Sequence, residues 1–340
     1  MKKIVHLITK SEVGGAQKWI FNLINAFPEH KHIVITSSPG WLTNHTSFEC
    51  KFVPGISNFV SISAYIELYK LVKDIDPDCV IISSANAGIY GRVVCRLLSV
   101  SCYYVSHGWS CLYQKSAFRF FFIFLEKIFS SLTKKIICVS RVDYDKAIKE
   151  IGINENKVVY LPTGVPSTEI KRDTRIRNDS GILNGVFVAR LSFPKRIDLL
   201  DEIEKFNDLN IEIDVYGDGP LGKKYHSGDK VKYKGEVYNF SDYHKYDFFI
   251  LLSDSEGLPM SGLEAAVVGL PLILSNVGGC PELLIKNNGV LVQNNSVDEL
   301  YKALKEFTSN SEIYIENALI CKDAFLIDTV IQDYRHVFEL

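Results

Sequence analysis

Short apolar runs alternate along the chain with stretches in which apolar residues recur every three to four positions. Residues 3–9 form the first run, and Ala16, Trp19, Ile20, Leu23, Ile24 and Phe27 follow at helical spacing. Runs at 32–36, 79–83, 102–106, 135–140 and 158–161 predict further strands with helices between them. Residues 166–183 are polar and read as a linker or domain-edge loop. A second series of strands is predicted at 185–189, 211–216, 231–233, 248–252, 271–275 and 290–292. Ser296 with Glu299 predicts a capping box opening a helix over 297–307, and 313–340 reads as one or two helices. This alternation implies parallel sheets covered on both faces. The expected architecture is α/β, with two doubly wound Rossmann-like domains and an interdomain cleft. The expected boundaries are 1–165, 166–322 and a C-terminal helix, 323–340, that crosses back to the first domain.

Composition supports two globular domains. The chain has 340 residues, 47% hydrophobic and 23% charged, enough for two cores. The net charge of -2 divides unevenly, with a basic excess up to residue 165 and an acidic excess beyond it. The basic half suits an anionic lipid or a diphosphate, although chance composition accounts for it equally well. The eight cysteines form no C-x-x-C pair and several sit in apolar runs, as buried thiols do in a reducing cytosol. The N-terminal apolar stretch is too short for a signal-peptide core, and no run approaches the roughly 20 apolar residues of a membrane span. Nucleic-acid binding is not expected, because no basic stripe with interleaved aromatics appears.

The candidate chemistry lies after strands, where ligands bind in doubly wound sheets. Residues 253–282 follow a predicted strand. Glu256 and Gly257 occupy a turn, Pro259 suits a first helical turn, Gly269 ends the helix and Pro271 starts the next strand. The amides of Gly257, Leu258, Met260 and Ser261 would face outward at a helix N-terminus, an anion and hydroxyl site. Glu264, eight residues after Glu256, would lie more than a turn deeper and about 80° around the axis. Arg190 ends another apolar strand and Lys195 follows five residues on, a planar fork and a point charge suited to a diphosphate. Gly217 and Gly219 after a strand would admit a base or ribose closely. Gly14 and Gly15 join the first strand to the first helix and would offer amides to phosphate or acceptor. This is not the G-x-G-x-x-G fingerprint, so a nicotinamide cofactor is not expected. His107 follows a strand and precedes Gly108. Residues 116–135 are aromatic and apolar with Lys115, Arg119, Lys127, Lys134 and Lys135 around them. They read equally as an interfacial helix or as one buried against the sheet.

The string SDSEGLPMSGLEA, with the Glu-x7-Glu spacing of Glu256 and Glu264, resembles the signature of retaining glycosyltransferase family 4, which has the GT-B fold. The resemblance implies that Glu256 contacts the donor sugar and Glu264 the ribose hydroxyls, and that Arg190 and Lys195 clamp the diphosphate. Glu236 and Val237 would lie beside the base, and His107 near the sugar. The family pattern has Gly after the lysine where this chain has Arg196, which would offer a third cation. The strings KSEVGGAQ, SSANAGIY, VSHGWSCLY and FPKR are similar to bacterial O-antigen N-acetylgalactosaminyltransferases. That resemblance implies a UDP-sugar donor, an α-1,3 linkage and a polyprenyl-diphosphate-linked saccharide as acceptor. Ser84, Asn86, Trp109 and Tyr113 would shape the acceptor pocket. It also implies a cytoplasmic protein, peripheral on the inner membrane with an anionic membrane surface as partner, without cofactor. No metal is expected, because cations and amides meet the diphosphate charge. An epimerase or phosphorylase on the same fold, and a non-catalytic sugar-nucleotide or lipid-binding protein, are the alternatives.

Overall fold

The computed structural model describes residues 1–340 except 45–47, 114–116 and 167–180, and not the side chains of Tyr113, Ala117 and Lys223. The linker prediction therefore falls almost wholly outside the described residues. The chain divides into two compact units, Met1–Thr163 with Val330–Leu340, and Gly164–Thr329.

The first unit is a seven-stranded parallel sheet of β1 (Lys3–Leu7), β2 (Lys31–Thr36), β3 (Glu49–Phe52), β4 (Cys79–Ile82), β5 (Ser101–Ser106), β6 (Lys135–Cys138) and β7 (Val158–Tyr160). Its order is β3-β2-β1-β4-β5-β6-β7. The helices are α1 (Gly15–Ala26), α2 (Trp41–Asn44), α3 (Ile62–Ile75), α4 (Ala85–Leu98), α5 (Ala117–Ser131) and α6 (Arg141–Lys146). Alternation within each strand sorts the two faces. Val5, Leu7, Val80, Ile82, Cys102 and Tyr104 meet α3, α4 and α5 in one core. β3 is the strand that the sequence did not announce. As an edge strand with half of its positions charged, it has no apolar run to detect.

The second unit is a six-stranded parallel sheet of β8 (Leu183–Val188), β9 (Ile211–Tyr216), β10 (Val231–Gly235), β11 (Phe248–Leu251), β12 (Leu272–Ser275) and β13 (Gly289–Val292), ordered β10-β9-β8-β11-β12-β13. It is covered by α7 (Ile197–Glu202), α8 (Met260–Val267), α9 (Val297–Ser309) and α10 (Ser311–Cys321). Phe187, Phe248, Phe249 and Phe307 are among its fully buried side chains. The capping box at α9 forms only in part: the Glu299 amide donates to Ser296 Oγ at 3.3 Å, while the Glu299 carboxylate pairs with Lys302 rather than reaching back. The last helix, α11 (Ile331–Phe338), belongs to the first unit, where Tyr334 donates to the Leu161 carbonyl at 3.2 Å and accepts from Trp19 at 3.2 Å.

Both sheets have one topology. The chain runs outward from β1 through β2 to β3, then restarts on the other side at β4; β8, β9, β10 and β11 repeat this. The order reverses between β1 and β4 and between β8 and β11. At such a switch point the loops leaving the two central strands diverge and open a crevice beyond their carboxyl ends.

Candidate active site

In the second unit the loops leaving β8 and β11 carry Lys195 and Glu256. The two side chains form an ion pair, each less than one-fifth exposed. The pair is held from below by backbone. Lys195 bridges Ser253, the Asp254 amide donates to the Pro194 carbonyl at 2.9 Å, and the Arg196 amide donates to the Leu252 carbonyl at 3.0 Å. Cys280 lies buried beside Glu256; its thiol is pushed up by burial and then by that carboxylate.

Arg196 does not serve as a third cation. It grips Asp198 through Nε (2.9 Å) and Nη2 (2.6 Å), and its Nη1 donates to Asp254 at 3.2 Å. The Asn295 side chain donates to the Ser253 carbonyl at 2.7 Å and to Asp254 at 3.1 Å, and the Ser253 amide donates to Ser275 Oγ at 2.9 Å. These contacts staple the Lys195 loop to the Glu256 loop. A guanidinium held by two acids adds no charge to a passing phosphate.

The glycines act differently from their reading as ligand-facing gaps. A Cβ on Gly217 would sit 1.9 Å from the Ala189 carbonyl oxygen, and one on Gly219 2.4 Å from that of Leu191. Their φ values of +146° and +157° also favour glycine. They let the turn after β9 press on the backbone that carries Arg190, and the Leu191 amide donates to Asp218 at 3.0 Å. Arg190 is exposed there. The Gly217 amide donates to the Gly235 carbonyl at 2.9 Å, which brings the exposed Glu236 and Val237 beside the same turn.

The helix after Glu256 is shorter than expected. Pro259 is its N-cap with extended backbone, so residues 256–259 are loop and the 80° helical relation of Glu256 to Glu264 does not hold. Met260 and Ser261 form the first turn and Glu264 the second. The buried Tyr243 donates to Glu264 Oε2 at 2.9 Å and so orients it. Gly278, with φ +52°, presses on the Glu256 carbonyl, where a Cβ would come within 1.7 Å; the Gly279 amide donates to the Gly257 carbonyl at 2.8 Å. Gly278 and Tyr243 were missed. The Gly-Gly pair was a visible signal; Tyr243 had none.

In the first unit His107 follows β5. Its Nε2 is buried without a hydrogen-bond partner, its ring meets Trp19 edge-on at 5.4 Å, and burial lowers its pKa to about 4. It is therefore neutral near pH 7. Gly14 caps α1 in extended conformation without a side-chain bond, and Gly15 opens the helix. Of the expected acceptor residues, Ser84 bonds Thr9 (2.8 Å between hydroxyls) and Asn86 donates to the Ser57 carbonyl at 3.2 Å. Trp109 corrects its reading: it is 1% exposed, and its indole donates to the Asp143 carbonyl at 2.8 Å, so it is core beneath the loop rather than a pocket wall. The Tyr113 side chain lies outside the described residues.

Asp-x-Asp spacings occur at Asp74, Asp76 and Asp78 and at Asp143 and Asp145. Asp76 ends α3 in left-handed conformation, Asp78 accepts from the Lys3 amide at 2.7 Å and Asp143 caps α6 with Ser140, so all three have structural duties.

Two Rossmann-like units, one of seven and one of six parallel strands, have the GT-B architecture. Residues 13–169 match the family described as Glycosyltransferase Family 4, and residues 167–319 match Glycosyl transferases group 1. The chain belongs to this glycosyltransferase family and is an enzyme of that class. It is 42% identical over 342 residues to the O-antigen biosynthesis glycosyltransferase WbnH of Escherichia coli, covering 99% of each chain. It is 27% identical to an E. coli UDP-Gal:alpha-D-GlcNAc-diphosphoundecaprenol alpha-1,3-galactosyltransferase, over 92% of this chain and 89% of the relative. Among solved structures it resembles Anabaena HepE in complex with UDP and glucose, with TM-score 0.82, 15% identity and full coverage of both chains.

Proposed function

We propose that this enzyme transfers N-acetylgalactosamine from its UDP donor to a polyprenyl-diphosphate-linked saccharide, forming an α-1,3 linkage with retention during O-antigen synthesis. The observation that carries the reading is the Lys195–Glu256 pair at the switch point of the second sheet, with Lys195 on the same loop as the exposed Arg190. Arg190 and Lys195 meet the diphosphate, whose charge grows as the glycosidic bond breaks. Glu256 receives the sugar hydroxyls, and Glu264, oriented by Tyr243, receives the ribose. Glu236 and Val237 flank the base, while Gly257, Leu258, Met260 and Ser261 add amides at the mouth of α8. The first unit supplies His107, the Gly14–Gly15 turn and the acceptor surface. The name of the alpha-1,3-galactosyltransferase relative supports a donor of the UDP-sugar kind and a diphosphoundecaprenol-linked acceptor, and that of WbnH supports the O-antigen setting.

No carboxylate is placed as a covalent nucleophile in this scheme. The acceptor hydroxyl attacks from the face that the leaving diphosphate vacates, and the departing phosphate oxygen takes the proton. The enzyme works as a peripheral protein on the cytoplasmic face of the inner membrane, without cofactor. Metal-stripped enzyme in excess chelator is expected to keep its turnover; loss of activity that Mg²⁺ or Mn²⁺ restores would overturn that part. The deciding experiment offers a panel of UDP- and GDP-sugars with synthetic lipid-diphosphate-saccharide acceptors and reads product mass and anomeric configuration. UDP-N-acetylgalactosamine should give an α-linked product. An inverted product, or preference for another donor, sinks the corresponding part.

A further inference from the structure

Tyr334 of α11 is among the largest fully buried side chains, and its hydroxyl serves three groups of the first unit at once. It accepts from Trp19 Nε1 at 3.2 Å and donates toward the Leu161 and Pro162 carbonyls, each at 3.2 Å. A phenol has the means for this set: a lone pair takes the indole N–H, and the one proton is shared between the carbonyls. Burial pushes the phenol above its ordinary range, so the proton stays on. Leu161 and Pro162 follow β7, just before the chain leaves the first unit after Thr163, and α11 begins just after it returns at Val330.

Trp19 stands one turn into α1, behind the Gly14–Gly15 turn. It is 2% exposed, so an indole N–H without an acceptor would be costly there. Turning the ring over would carry the N–H away from the Tyr334 hydroxyl. The hydroxyl therefore selects one orientation of the indole. The edge-on contact of Trp19 with His107, 5.4 Å between ring centres with planes at 71°, depends on that orientation. Among the described residues no hydrogen bond holds His107 at Nε2, and a Cβ on the following Gly108 would meet nothing within 4 Å. The torsion that turns a histidine ring about its own axis is soft, so a ring contact decides where the bare nitrogen points. The last helix also touches the strand that leads to His107: Phe338 stacks on Tyr334 at 5.8 Å and meets Tyr103 of β5 edge-on at 5.1 Å. Its ion pairs, Arg335 with Glu29 at 2.6 Å and Lys134 with Glu339 at 2.7 Å, lie at the surface, where such pairs are weak and select no indole orientation.

We infer that Tyr334 is a positioning residue for the transfer reaction: its hydroxyl fixes the Trp19 indole, and the indole edge fixes the His107 ring. The last helix thereby sets the geometry of a histidine at the carboxyl end of β5, far from it in sequence. This rests on the proposed placement of His107 near the donor sugar.

A double-mutant cycle on the full chain tests it, with kcat and KM read from labelled UDP-N-acetylgalactosamine. Tyr334→Phe should lower kcat about tenfold with donor KM within about twofold, and His107→Ala should lower kcat further. In the double variant the tyrosine change should cost almost nothing more, because the histidine through which it acts is gone. Losses that multiply, or wild-type turnover in Tyr334→Phe, would overturn the inference. A role in stability alone predicts a lower unfolding midpoint with kcat intact. In spectra of ring-labelled histidine, the His107 signal, assigned by its absence from the alanine variant, should move in Tyr334→Phe; an unmoved signal counts against the link. Should Tyr334→Phe fail to fold, Trp19→Phe breaks the same link from α1 and must show the same coupling to His107→Ala. Wild-type turnover in His107→Ala would fault the placement of His107 near the sugar and with it the effect on catalysis, while a moved ring signal in Tyr334→Phe would leave the link between the rings standing.

Discussion

Lys195 is the residue whose charge is already aimed before a phosphate arrives, because Glu256 holds its ammonium and the Ser253 bridge holds its backbone. Lys195→Ala removes a positioned cation from the developing charge and should lower kcat about 10²-fold or more, measured with labelled donor at saturation. Arginine at this position is expected to restore little, since a planar fork does not replace a compact ammonium in the same ion pair. Tyr243→Phe is a milder case. It removes one hydrogen bond to Glu264, and should raise the donor KM several-fold with kcat nearly intact, at a stability cost of about 1 kcal/mol in urea unfolding. Equal loss in kcat would place Glu264 nearer the reacting bond than the ribose.

At the scale of elements, the loops after β8 and β11 behave as one piece. Arg196, Asp198, Asp254, Asn295, Ser275 and Ser253 add side-chain links to the backbone contacts and the Lys195–Glu256 pair that already join the two loops. The family pattern has glycine where Arg196 stands, so this chain replaces loop freedom with a charged staple. Arg196→Gly leaves Asp254 without its cation. It should lower kcat by roughly tenfold through a looser Lys195 loop, with donor KM changed less; Arg196→Lys should recover part, through one contact instead of a fork. Gly278 is less forgiving. A methyl group there meets the Glu256 carbonyl and must also adopt φ near +52°. Gly278→Ala should therefore displace Glu256 and depress both activity and melting temperature, the strain alone being of order 1–3 kcal/mol.

At the scale of the whole molecule, the first unit stores several neutral histidines. His32 Nε2 lies 2.8 Å from the Phe27 carbonyl, which only accepts, so Nε2 carries the proton and Nδ1 accepts from His6 Nε2 at 3.0 Å. His6 Nδ1 is then a bare, buried acceptor. Burial lowers the pKa of His6, His30 and His32, with His32 adding to the effect at His6, and burial alone takes His107 to about 4. A lowered folded pKa means that the unfolded chain binds more protons below about pH 6.5. Stability is thus fully present above that pH and falls as pH drops toward 4. Melting temperatures across this range should decline, and His6→Gln should flatten the decline if it folds; a pH-independent melting temperature contradicts the neutral assignments.

Much of this was legible in the chain itself. Among the described residues, strand runs, helical spacing and turn residues placed twelve of the thirteen strands and both Rossmann-like sheets, because each signal lies within about ten consecutive residues. Lys195 and Glu256 stood out as charged positions in the loops after apolar strands, and Glu264 through its Glu-x7-Glu spacing from Glu256, although the helical relation expected between the two carboxylates does not hold. What tertiary structure alone decided was the company those residues keep. Arg196 is consumed by Asp198 and Asp254, Gly217 and Gly219 serve the Ala189–Leu191 backbone, Tyr243 orients Glu264, and Trp109 is buried. These partners stand tens of residues apart in most cases, and no local periodicity encodes which of them packing will bring within 3 Å. The outward phenylalanines of α5 belong with them: Phe118, Phe120, Phe121 and Phe124 are exposed, so burial of this helix all round does not hold. Their apolar character is in the sequence, but which side of the helix the sheet covers is settled only when α4 locks Glu126 against Arg92.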